Sequence, residues 1–220
     1  MENIHREILV LSGMVEEMID RASEALCDRK PLLAQQVMQE DPEIDQREVK
    51  IEEDCLKALA LHQPVAIDLR RIATVLKVNN DLERIADLAV NMAERAESLA
   101  HYPEFPIPVK LKRMVDLATM MVRGALDAFV ALDVQAARRL CLLDDEVDRY
   151  NCEVIQELSS MMEKSPAHVS PGLHCFSAAR HVERIADHAT NIAEDVLYLV
   201  EGEIVRHRPH HSAPKSLNVK

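Results

Sequence analysis

The chain has 220 residues, 48% of them hydrophobic, and 38 acidic against 26 basic side chains give it a formal charge of -12. That length and apolar fraction can build one large folded unit or two small ones, while the acidity repels nucleic acid and anionic lipid at long range. Only 4 Gly and no Trp accompany abundant Ala, Leu, Met, Glu and Arg, which favours helices over strands and leaves little for a phosphate-binding glycine loop.

Apolar residues recur at helical spacing almost throughout. The pattern predicts helices at about 3–28, 31–40, 42–63, 65–101, 108–131, 133–142, 145–164 and 171–202. Pro31, Pro42 and Pro64 stand at positions suited to a helix first turn. Tyr102-Pro103-Glu104-Phe105-Pro106-Ile107-Pro108 is incompatible with a helix and divides the chain, and Lys164-Ser165-Pro166 and Ser170-Pro171 are further breaks. Gly202 is a helix stop. The expected organisation is all-α: a three-helix bundle over 1–101, a linker at 102–108, a second three-helix bundle over 109–202 and a basic tail at 203–220.

Met1-Glu2-Asn3 leads straight into a mixed-charge helix, and no apolar run approaches the roughly 20 residues of a membrane span. The expected location is therefore the cytoplasm. Cys27, Cys55, Cys141, Cys152 and Cys175 form no C-x-x-C pair and are odd in number, so reduced thiols are expected rather than disulfides or a thiolate zinc site.

An internal repeat dominates the pattern. Glu83-Arg84-Ile85-Ala86-Asp87-Leu88-Ala89-Val90-Asn91-Met92-Ala93-Glu94 returns as Glu183-Arg184-Ile185-Ala186-Asp187-His188-Ala189-Thr190-Asn191-Ile192-Ala193-Glu194, identical at nine of twelve positions. Asp41-Pro42-Glu43-Ile44-Asp45 likewise matches Asp144-Asp145-Glu146-Val147-Asp148. Each half is then a three-helix bundle whose first helix bends or breaks near Pro31 or Asp133.

On a helix turning about 100° per residue, Glu94, Asp87 and Asn91 fall at about 20°, 40° and 80° from Glu83. Ile85, Ala89, Met92 and Ala93 gather on the opposite, core-facing side. Glu183, Asp187, Asn191 and Glu194 repeat the stripe. Like charges four residues apart destabilise a helix by a few tenths of a kcal/mol, and a bound cation would offset that cost in both copies. Asp45 and Asp148 add an acidic edge from the preceding helix. Oxygen-only sites suit hard cations such as Mg²⁺, Mn²⁺, Ca²⁺ or iron. The competing reading is a solvated face, with Arg84 and Arg184 neutralising Asp87 and Asp187. Asp41 and Asp144 serve better as helix caps than as ligands, and Asp45 and Asp148, a turn further in, are better ligand candidates. His181 and His188 lack counterparts in the first copy and are not expected as ligands. No nucleotide-binding loop, nucleophile elbow or H-E-x-x-H occurs, so no catalytic residue is expected.

The duplicated E-R-I-A-D-x-A-x-N-x-A-E segments resemble the signature of the PhoU family. Asp41-x-x-x-Asp45, Asp144-x-x-x-Asp148, Glu83-x-x-x-Asp87 and Glu183-x-x-x-Asp187 match its acidic pattern, and Gln63-Pro64-Val65-Ala66-Ile67-Asp68-Leu69-Arg70 resembles its Q-P-x-A-x-D-L-R segment. The second half lacks a D-L-R equivalent at His174–Arg180. The resemblance covers about residues 3–202. It implies two similar three-helix bundles, a homodimer, and metal sites holding Mg, Mn, Fe or Zn. It also implies a non-catalytic adaptor between a phosphate ABC transporter's ATPase subunit and a sensor histidine kinase, keeping phosphate-starvation genes off when phosphate is ample. The alternatives are a metal-dependent helical enzyme and a metal-free helical scaffold.

Overall fold

The computed structural model describes residues 2–204. The basic tail expected at 203–220 lies outside the described residues apart from Glu203 and Ile204. Seven α-helices follow in order: α1 (Glu2–Asp28), α2 (Pro31–His62), α3 (Ala66–Leu99), α4 (Val109–Ala131), α5 (Val134–Cys141), α6 (Asp144–Lys164) and α7 (Val169–Glu201), with a 3₁₀ turn at Pro166–His168. No strand occurs among the described residues. The first bundle is α1, α2 and α3; the second is α4, the short α5, α6 and α7.

Two expected breaks are absent. Pro42 sits inside a continuous α2, because the helix holds through its neighbours' packing on Val37, Ile44 and Ile51, all buried. Asp41 is consequently an interior residue and caps nothing. Pro171 likewise lies in the first turn of α7, where its missing N–H costs no helical hydrogen bond. The two halves differ here: the second half divides the equivalent of α2 into α5 and α6 at Leu142-Leu143. Asp133 caps α5, its carboxylate accepting from the Gln135 and Ala136 amides at 2.9 and 3.0 Å. Asp144 opens α6 without capping it.

The core-facing residues predicted from the repeat are all buried: Ile85, Ala89, Met92 and Ala93 with Ile185, Ala189, Ile192 and Ala193. Each large aliphatic side chain so enclosed contributes about 1.5–3 kcal/mol. The most extensive helix pairing is α3 with α7, and it is antiparallel. Arg70 near the start of α3 donates to the Leu199 carbonyl near the end of α7 at 3.3 Å. Tyr102, just past α3, meets Ser170 at the start of α7 at 2.9 Å. Gly202 ends α7 at φ 78°, and a Cβ there would come within 2.8 Å of the Arg70 guanidinium. Glycine is thus needed both for the left-handed cap and for this close approach.

Between these ends, Lys77 Nζ of α3 lies 2.9 Å from Asp195 Oδ1 of α7, whose side chain is 2% exposed. Removing the ammonium leaves a buried carboxylate with less compensation. Lys77→Met is expected to lower unfolding free energy by about 1–3 kcal/mol in urea denaturation, below the full buried-pair value because Lys77 is partly solvated.

Candidate acidic metal-binding faces

The first acidic face is a seam between α2 and α3, not a free outer surface. Asp41, Asp45 and Glu48 come from α2; Glu83 and Asp87 come from α3. Burial, then the charges of Asp45 and Asp87, push the Asp41 carboxyl above its ordinary range. Burial and Asp87 do the same to Glu83, with Glu48 and Asp45 adding to the effect and Arg84 opposing it. Five carboxylates therefore sense one another across two helices. Asp41 Oδ1 is buried and accepts no hydrogen bond, which is costly unless another partner arrives. Arg84 stands 3.3 Å from Glu83 and 3.5 Å from Asp87, as its spacing on the helix predicted. Asn91 Nδ2 donates to the Asp87 carbonyl at 2.7 Å. Glu94 pairs with Arg95 at 2.8 Å.

The second face lies between α6 and α7. Asp144 and Asp148 oppose Glu183 and Asp187. Burial, followed by Asp144, Glu183 and Asp148, pushes the Asp187 carboxyl up to about 6, with His188 pulling the other way. Part of that carboxyl still faces solvent. Asp144 Oδ1 accepts from Thr190 Oγ1 at 3.2 Å, so it is held toward α7 by a side-chain bond. Glu183 pairs with Arg180 at 2.7 Å.

The two copies are not equivalent, contrary to the repeat. Glu194 is buried, only 7% exposed. Burial, and then the charges of Glu194 and Asp144, push the Cys141 thiol up to about 12. Asn191 turns toward Asp81 Oδ1 at 3.4 Å, and His188 Nδ1 donates to that same oxygen at 2.8 Å. Three functional-looking residues escape the sequence reading. Glu48 is one turn beyond Asp45 and could have been found from that spacing. Asn79, whose amide donates to Glu48 Oε1 at 3.0 Å, and Asp81, 5% exposed, sit at core positions where only the fold reveals them.

The donor chemistry fits hard cations: carboxylate and amide oxygens, crowded enough to raise one another's proton affinity. Among the described residues, no three His, Cys, Asp or Glu side chains stand gathered in position to hold a metal ion. Cys55, Cys141 and Cys175 are buried free thiols, Cys27 is half-buried and Cys152 is exposed.

Because the folded Asp187 binds its proton more tightly than the unfolded chain, it destabilises the fold at neutral pH. That penalty is relieved as pH falls through about 6 toward the ordinary carboxylate value. In metal-free protein, Asp187→Asn is expected to raise Tm by about 1–3 °C at pH 7.5, discounted for solvent screening. The gain should shrink toward zero near pH 4 in calorimetry.

The chain matches the family model of the PhoU domain twice, over residues 8–96 and 111–196. It is 40% identical over 208 residues to a phosphate-specific transport system accessory protein PhoU homolog from Pseudomonas putida, covering 94% of this chain and 81% of that one. A homolog of the same description from Aquifex aeolicus is 38% identical, with 94% of both chains covered. The crystal structure of PhoU from Pseudomonas aeruginosa superposes with a TM-score of 0.89 at 40% identity, covering 92% of this chain and 97% of that chain. The phosphate transport system regulatory protein PhoU from Streptococcus pneumoniae gives 0.85 at 27% identity, covering 93% and 96%. These relatives are described as accessory or regulatory proteins, not as enzymes, in keeping with the expected lack of catalysis. Two tandem domain matches, near-complete coverage and an acidic pair of helices in each half place this chain in the PhoU family.

Proposed function

We propose that this chain regulates phosphate uptake and phosphate-starvation signalling as a metal-binding adaptor. The observation that carries this reading is similarity along nearly its whole length to accessory proteins of the phosphate-specific transport system. In this reading the protein acts in the cytoplasm as a homodimer. It engages the ATPase subunit of a phosphate ABC transporter and the cytoplasmic part of a sensor histidine kinase, and holds the kinase in its non-activating state when phosphate is ample. No helix of the described residues is long and apolar enough to cross a membrane, which suits an adaptor that meets its transporter from outside the bilayer. Co-purification from phosphate-replete cells tests the assignment. Recovery of both the ATPase subunit and the kinase is the expected result, and recovery of neither would overturn it.

The metal part of the reading rests on the two crowded seams. Asp41, Asp45, Glu83 and Asp87 would hold one group of ions, and Asp144, Asp148, Glu183 and Asp187 the other. Mg, Mn, Fe and Zn are the candidates. Bound cations would supply the positive charge that these carboxylates lack, stiffening each α2–α3 and α6–α7 pair. Mn²⁺ at about a hundred times its dissociation constant is expected to raise the Tm of EDTA-treated protein by about 5–10 °C. Paired Asp45→Asn and Asp87→Asn changes should remove part of that rise, and Asp148→Asn with Asp187→Asn another part. Identical melting curves with and without Mn²⁺ would exclude the metal reading while leaving the adaptor reading to its own test.

A further inference from the structure

The repeat and the antiparallel pairing together define which α3–α7 contacts are equivalent. Each α3 residue matches the α7 residue 100 positions later. The Lys77–Asp195 ion pair therefore has Arg95 and Ser177 as its mate at the other end of the interface. The Asp81 contacts with His188 and Asn191 have His181 facing Leu88 and Asn91 as theirs. At one end each base has an acid across the helix pair. At the other end basic side chains stand where the acids were, Arg95 for Asp195 and His181 for Asp81, and Ser177, Leu88 and Asn91 take the places of Lys77, His188 and Asn191.

The donor-rich end is a connected group. His174, Ser177 and His181 form one stripe of α7 at spacings of three and four. His181 Nε2 lies 3.2 Å from Ser177 Oγ. Burial, and then the nearby Arg95 charge, push both the His174 and His181 imidazoles below their ordinary range, with Arg184 adding to the effect at His181. Tyr102 borders the group, its ring centroid 6.2 Å from that of His174. One outer nitrogen of Arg95 is held by Glu94 at 2.8 Å, and Glu94 also acts on His181, opposing the arginines. Arg95 Nε, a donor in every protonation state, is buried with no hydrogen-bond partner, and so is His181 Nδ1. The side chains of Arg95, His174, Ser177 and His181 all remain partly exposed.

We propose that Arg95, His174, Ser177 and His181 bind a tetrahedral oxyanion, either free or as a phosphoryl group carried on another molecule. A guanidinium beside two imidazoles and a hydroxyl is a donor set that such an anion satisfies with charge-assisted hydrogen bonds. The anion supplies the negative charge that Asp195 and Asp81 supply at the equivalent end. This site is separate from the carboxylate seams and does not rest on their metal content.

The test uses the full chain after exhaustive EDTA dialysis, so that no metal can recruit an anion. Inorganic phosphate is titrated at constant ionic strength while Tm and the imidazole resonances of His174 and His181 are followed. A second arm uses a phosphoserine peptide beside its unphosphorylated form. Three variants are compared: Arg95→Gln, Ser177→Asp, which supplies an acid internally, and Lys110→Gln, whose ammonium pairs with Glu153 outside the group, as a control. Saturable binding in parent and Lys110→Gln, weakened at least about tenfold in both site variants, supports the proposal. Response to phosphate identifies the free ion, and response to the phosphopeptide alone identifies a carried phosphoryl group. Absence of response in both arms, or equal responses in every variant, would overturn it. A variant that fails to fold is caught by its baseline melting curve, and the other site variant then decides.

Discussion

The antiparallel packing of α3 on α7 is the constraint on which the rest of the structure depends. It joins the bundles and fixes which face of each long helix remains for other use. Ala86, Ala89 and Ala93, with Ala186, Ala189 and Ala193, are buried, and small side chains allow helices to approach closely. Apolar packing of this kind tolerates sliding. Lys77–Asp195 and Asp81–His188 do not, because a slip of one turn would separate each base from its acid and leave a buried carboxylate exposed to the full desolvation penalty. The polar pairs thus set the register that the alanines leave loose.

Register in turn determines the acidic seams. With the α3 and α7 apolar faces committed to the core, Glu83, Asp87, Glu183 and Asp187 project to the edge where α2 or α6 runs alongside. Asp41, Asp45, Asp144 and Asp148 approach from those neighbours. The crowding raises proton affinity at Asp41, Glu83 and Asp187 after burial has done so. A fold that repeats an unfavourable charge stack in both halves departs from local consistency at the places where function is expected.

Much of this was legible before the fold was known. The twelve-residue repeat located the helices that matter, and the angle between Glu83 and Ile85 separated seam from core. What escaped did so for physical reasons. Pro42 read as a boundary because proline weakens a helix locally, yet the apolar contacts of Val37, Ile44 and Ile51 carry α2 through it. Asp81 lay on the apolar side of its helix, where a carboxylate makes sense only once His188 and Asn191 arrive from the other bundle. Glu194 read as a copy of Glu94, but α5 covers it, whereas its first-half counterpart remains open beside Arg95.

That divergence follows from carrying both copies on one chain. In a symmetric pair of identical subunits, every cross-helix contact must occur twice, so an ion pair at one end is mirrored at the other. Tandem duplication removes that requirement. Residues 77 and 177 can differ, as can 95 and 195, and here they do. One end of the α3–α7 interface can then be closed by internal ion pairs that hold the bundles in register. At the opposite end Arg95 and His181 stand at the positions of those acids, and an anion from outside supplies the balancing charge. Duplication supplies the architecture twice, and the difference between copies lets one interface both lock the fold and present donors for recognition.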